Sequence, residues 1–216
     1  MYRKTHYYLF YSLIVLGLIS LIAVLETIGS GVKMKLIQEG GPIEQLSAVG
    51  YFICLMTLLF FRIGDAKTHL SVMFLVLMLG LRELDFHVLF TPMSMEKIKF
   101  YWSPDVSIHS KVVGASIILS LLLCCAYLMK KHLWGIIKSL KRLEPDAVGL
   151  FLGLAFIGIA KTLDGMQRKL GDFHITITRN MMELTTVAEE ILELGIPYMF
   201  IIAVLAHHYK SSQKMQ

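Results

Sequence analysis

Six long apolar runs separated by polar connections organise the chain: residues 7–26, 43–61, 70–90, 112–128, 147–166 and 187–207. A helix needs roughly 20 mostly apolar residues to cross a hydrocarbon core about 30 Å thick, and each run approaches that length. The pattern predicts an all-α integral membrane bundle of six transmembrane helices, forming a single domain over residues 1–216. Arg3 and Lys4 before the first run suggest a signal peptide. The run exceeds the usual apolar region of about 7–15 residues, however, and Glu26 separates it from the small residues Gly29-Ser30-Gly31. It is read as a retained span.

Composition agrees with this pattern. Hydrophobic residues make up 56 % of the 216 and charged residues 17 %, against roughly 45–50 % and 25 % in soluble domains. The same balance excludes a disordered chain. If the six runs alternate in direction, eleven Lys and Arg fall on the side of the termini and nine on the other, with Arg82 inside a span. Basic residues favour the cytoplasmic side, so both termini are expected to be cytoplasmic, in a bacterial inner membrane. Residues 131–142 mix Lys and Arg with Leu133, Trp134, Ile136, Ile137 and Leu140, as an interfacial amphipathic helix would. The net charge of +5 comes mostly from the loops on that side, so membrane lipid is the expected partner and nucleic acid is not.

Cys54, Cys124 and Cys125 lie inside spans and form no CxxC pair, so neither a disulfide nor a thiolate metal site is expected. The sequence carries no Gly-rich phosphate loop and no Gly-x-Ser-x-Gly elbow.

The ionisable residues inside the spans are more informative. The third run carries Leu81-Arg82-Glu83-Leu84-Asp85-Phe86-His87 before it closes with Val88-Leu89-Phe90, the fifth carries Lys161 and Asp164 with Arg168 beyond, and the sixth opens with Glu189, Glu190 and Glu193. Alternating spans bring the late residues of odd runs beside the early residues of even runs. All these charges should therefore meet in one leaflet, with Glu26, Glu44, His109 and Lys111 near the same boundary. Charges at such depth cost about 2.5–3.5 kcal/mol each near a helix centre unless they face one another or a wet cavity. Helical spacing predicts pairs Arg82–Asp85 and Glu83–His87 and a stripe Lys161–Asp164–Arg168. Pro197 lacks an N–H, which frees the carbonyl of Glu193 in the same helix.

Three kinds of function fit a one-sided acidic site. In the first, a metal-assisted hydrolase or transferase acts on a lipid or lipid-linked substrate. Asp85, His87, Glu190 and Glu193 would hold a divalent cation, Glu83, Asp85, His87 and Asp164 would do acid–base work, and Arg82, Lys111, Lys161 and Arg168 would bind the substrate. No HxxxH or HExxH spacing supports the metal. In the second, a small transporter couples to a cation or proton, although residues 70–80, 147–160 and 196–206 carry no charge. In the third, the charges staple helices in a sensing or assembly subunit.

Overall fold

A computed structural model describes residues 4–38, 40–86, 95, 97–166, 170 and 178–213. Among them there is no strand; the elements are α1 (Lys4–Thr27), α2 (Ser30–Ile37), α3 (Pro42–Phe60), α4 (Ala66–Glu83), α5 (Ile98–Trp102), α6 (Ile108–Lys141), α7 (Pro145–Leu163) and α8 (Arg179–Gln213). Five helical segments are long and apolar enough to cross a membrane: α1, α2 with α3, α6, α7 and α8. The chain thus has the character of a multi-pass membrane protein. The remaining long helix, α4, is 18 residues long and carries Lys67, Arg82 and Glu83, so unlike the other five it has no stretch of that length with two charges or fewer.

Local chemistry sets most helix starts. Pro42 and Pro145 occupy the first turns of α3 and α7, where a missing N–H costs nothing, and Glu44 and Asp146 face the positive helix ends there. Ser107 caps α6 by accepting the Ser110 N–H at 3.2 Å. Lys138 and Lys141 complement its negative end.

Helix ends depart more from expectation. The apolar run over 70–90 predicted a helix to its end, yet α4 stops at Glu83. Asp85 takes a left-handed conformation, φ 48°, and donates its N–H to the Arg82 carbonyl at 3.0 Å. Asp is among the few non-glycine residues that tolerate this geometry, which closes a helix. Residues 131–142 were expected to form a separate interfacial helix; instead 131–141 continue α6, which is 34 residues long. Its stop is Leu143, φ 49°, with the Glu144 N–H reaching back to the Ser139 carbonyl at 2.9 Å. Nothing between Leu128 and Lys141 breaks a helix, so the apolar and the basic parts fuse. Two short elements, α2 and α5, were not foreseen.

Helix α8 is the axis of the bundle, packed by α1, α3 and α7, while α4 lies on α3. Close contact falls on small residues, as expected where helices must approach without a hydrophobic driving force. The Pro197 ring of α8 sits against Gly50 of α3, and Phe200 of α8 against Gly153 of α7. One apolar cluster joins Leu18 and Leu25 of α1, Ile37, Ile43, and Val187, Ile191 and Leu194 of α8. A second joins Tyr51, Cys54 and Leu58 of α3, Val76 of α4, and Ile196 and Val204 of α8.

Both helical termini lie at one end. There the Lys4 ammonium donates to Glu144 at 2.9 Å, and Lys210 and His207 converge on Asp146 at 2.9 and 3.1 Å. Tyr8 donates to the Leu143 carbonyl and Tyr11 to that of Pro145. The starts of α1 and α7 are thereby fixed to the close of α8. His207 and His208 lie at this end and both are engaged, His208 against the Phe61 ring at 4.7 Å.

Candidate functional site

The far end of the bundle gathers the acids. Helix α4 delivers Arg82 and Glu83 in its last turn, α3 contributes Glu44 from its first, and α8 presents Glu189, Glu190 and Glu193 along one face. Glu193 stands 14 residues along α8, about 21 Å at a rise of 1.5 Å per residue. The first turns of α8 therefore overtop the end of α4. They are covered by α2, where the Lys33 ammonium, only 5 % exposed as a residue, bridges Glu26 and Glu183 at 3.3 and 3.2 Å. Next to this bridge lies a cavity of about 350 Å³ lined by Ser30, Gly31, Met34, Arg179, Met182 and Glu183.

The expected pair Arg82–Asp85 does not form. Arg82 instead donates to Glu193 at 2.7 Å, because the left-handed stop at Asp85 removes the carboxylate from the i, i+3 position of a continuous helix. The intrahelical pair Lys161–Asp164 is present at 2.8 Å, both residues exposed enough to touch solvent. His87 and Arg168 lie outside the described residues, as do Glu39 and His174. Lys111 is half-buried at the start of α6 and makes no ion pair among the described residues.

Three acids are held differently. Glu83 is 6 % exposed and, among the described residues, has neither a hydrogen bond nor an ion pair; it feels the charges of Glu193, Arg82, Glu44 and Asp85. Glu190 likewise lacks both and senses Glu193, Glu189, Glu44 and Glu83. Glu189 senses Asp164 and Lys161 at the close of α7 together with Glu193 and Arg82. The acids of α4, α7 and α8 thus neighbour one another electrostatically at one end. Glu44 itself accepts the Gly40 N–H across the Gly40-Gly41-Pro42 turn, in which Gly40 has φ 72°.

Among the described residues the acids named here outnumber the cations that act on them, Arg82 and Lys161. Among the described residues no three His, Cys, Asp or Glu side chains are placed to share a metal ion. The expected set Asp85, Glu190 and Glu193 therefore does not assemble as a ligand shell; its fourth member, His87, is outside the described residues.

Comparison with protein-family models, curated proteins and solved structures gives no match. The geometry of the chain itself has to carry any reading of function.

Sequence reasoning missed the termini-end network and the Lys33 bridge. Lys33 falls between the first two apolar runs, where nothing in the sequence marks it, and only the docking of α2 on α8 encloses it. Asp65, between the second and third runs, and Lys131, in the segment expected to be an interfacial helix, meet at 2.6 Å. The Thr68 hydroxyl also donates to Asp65, at 2.5 Å. Together the Lys131 ammonium and Thr68 hold the Asp65 carboxyl below the usual carboxylate range.

Proposed function

We propose that the protein is a membrane protein whose far-end carboxylates form a binding site for a cationic group, with Glu83 and Glu190 as the binding residues. Arg82 acts as a tethered counter-charge for Glu193. The observation that carries this reading is Glu83: nine-tenths buried, without hydrogen bond or ion pair among the described residues, and acted on by the charges of Glu193, Glu44 and Asp85 as well as Arg82. A carboxylate withdrawn from water is costly unless a proton, a cation or donors accompany it. Purely structural staples would leave acids and bases matched, and among the described residues Glu83, Glu189 and Glu190 exceed the cations that act on them, Arg82 and Lys161.

On this reading α4 counts as a span despite its three charges, giving six crossings with both termini cytoplasmic in an inner membrane. Lipid is the surrounding partner. The dry cores around Leu58, Val76 and Val204 favour a one-sided site over conduction. The metal-assisted hydrolase expected from Asp85, His87, Glu190 and Glu193 has less support, since a shell of three ligands is lacking among the described residues.

The test is a thermal-unfolding series on the detergent-solubilised chain with sodium, calcium or ethylammonium chloride, using tetramethylammonium chloride as a cation that cannot donate hydrogen bonds. At least one of the first three should raise the midpoint by a few degrees, and Glu83→Gln should remove the rise. Equal midpoints in all four salts would sink the proposal.

A further inference from the structure

At the termini end, α4 and α6 meet in a polar knot. The buried Thr68 hydroxyl donates to Asp65 and lies 2.9 Å from His132 Nε2 and 3.3 Å from Tyr127 Oη. Lys131 donates to Asp65 at 2.6 Å and to Tyr127 Oη at 2.9 Å. Two ammonium groups stand over the Tyr127 ring, Lys67 at 4.7 Å and Lys131 at 5.3 Å from its centre. Lys131 has Asp65 as its carboxylate, whereas Lys67 is exposed and makes no ion pair among the described residues. Two more exposed cations without an ion pair among the described residues flank it. Arg62 acts on His69 in the first turn of α4, and Lys130 follows Tyr127 by three residues, on the same side of α6. The patch also has a defined depth. Leu70, three residues into α4 from Lys67, and Leu123, one turn before Tyr127, are exposed apolar residues, and Trp134 is exposed one turn beyond Lys130. Bare apolar side chains below and a tryptophan above mark the boundary between hydrocarbon and headgroups.

We infer that this patch binds the phosphate of an anionic membrane phospholipid, with Lys67 as the principal contact, Arg62 and Lys130 beside it, and Asp65 kept by Lys131. The inference is independent of the carboxylate site at the far end. Charge complementarity selects an anion, because three cations at the knot have no carboxylate among the described residues. The Tyr127 ring holds Lys67 in place through a cation–π contact that leaves its charge and its donors available to a phosphate oxygen. Depth selects a lipid: the cations stand one turn from bare apolar surface, where a phospholipid carries its phosphate.

The experiment holds the full chain in phosphatidylcholine nanodiscs doped with phosphatidylglycerol and reads retained lipid by native mass spectrometry. Phosphatidylglycerol should be retained about tenfold or more over phosphatidylcholine, and Lys67→Gln should lower that preference about fivefold, the effect of one cation beside an anionic leaflet. Lys67→Arg, which keeps the charge and the ring contact, should preserve it. Lys35→Gln removes an exposed cation from α2 at the opposite end and should leave it unchanged. Equal retention of the two lipids by the native chain, or an undiminished preference in Lys67→Gln, overturns the inference. A loss in Lys35→Gln as large as that in Lys67→Gln does the same, since overall charge would then suffice. Displacement of the retained phosphatidylglycerol by inorganic phosphate or by soluble polyglutamate also overturns it, assigning the patch to a free anion or to an acidic protein segment.

Discussion

The Arg82 guanidinium donates to Glu193 Oε1 at 2.7 Å, tying the last turn of α4 to the middle of α8. Arg82 is 35 % exposed at its side chain and Glu193 14 %, so the pair sits between the solvated and the dry limits. Exposed pairs contribute about 0–1 kcal/mol, whereas breaking a buried one costs about 3–5 kcal/mol. Arg82→Met should therefore destabilise by about 2 kcal/mol, and adding Glu193→Leu should restore most of it. Denaturant unfolding of the single and double variants measures the coupling. Additive losses would show that the two side chains act separately.

The contact between Gly50 and Pro197 is equally specific. A Cβ on Gly50 would approach the proline Cγ to 2.7 Å, and neither the ring nor the helix backbone can turn aside. Gly50→Ala should cost about 1–3 kcal/mol, the usual range for overpacking. Gly158, with nothing within 4 Å of its added Cβ, provides the control. Gly158→Ala should be neutral or slightly stabilising through helix propensity. Thermal midpoints of the two variants should separate accordingly.

Tyr11 is 3 % exposed and donates to the Pro145 carbonyl at 2.9 Å, where the first turn of α7 begins. Tyr11→Phe keeps the ring and removes the donor. The expected loss is about 0.5–1.5 kcal/mol, read as a lower unfolding midpoint.

Acid sensitivity should come partly from Asp65. Its carboxyl is held below the usual range by Lys131 and Thr68, so its folded value is depressed relative to the unfolded chain. The sign follows from linkage: the stabilisation is fully present above the unfolded value of about 3.9 and is lost as pH falls below it toward the folded value. Stability of the native chain between pH 7 and 5 should not depend on this group. Below about pH 4 the native chain should lose stability more steeply than Asp65→Asn, in matched thermal melts.

Topology has a direct check. With α4 as a crossing, a reporter fused after Gln213 and one inserted at residues 63–64 should report the same side of the membrane. Opposite sides would mean that α4 does not traverse.

Much of the architecture was legible along the chain because apolar runs of crossing length leave helices as the one backbone-satisfied structure in lipid. Runs 43–61 and 147–166 became α3 and α7 within a few residues, their starts marked by Pro42 and Pro145. The end of α4 was not legible: hydropathy continues through Phe90, and the stop depends on the backbone of one aspartate. The fusion of residues 131–141 into α6 was hidden for the converse reason, since a change from apolar to basic residues alters the solvent a helix prefers without ending the helix.

Sequence alone determined that the chain is helical and membrane-like, and alternation of direction led to the expectation that Arg82, Asp164 and the glutamates of the last helix would share an end. Tertiary structure decided which charges satisfy one another. It gave Glu193 to Arg82, Asp146 to Lys210 and His207, and Glu183 to Lys33, and left Glu83 enclosed without an ion pair among the described residues. The physical reason is range. Hydropathy is a sum over neighbours in the chain, whereas an ion pair is settled within about 4 Å between residues that can be more than a hundred positions apart.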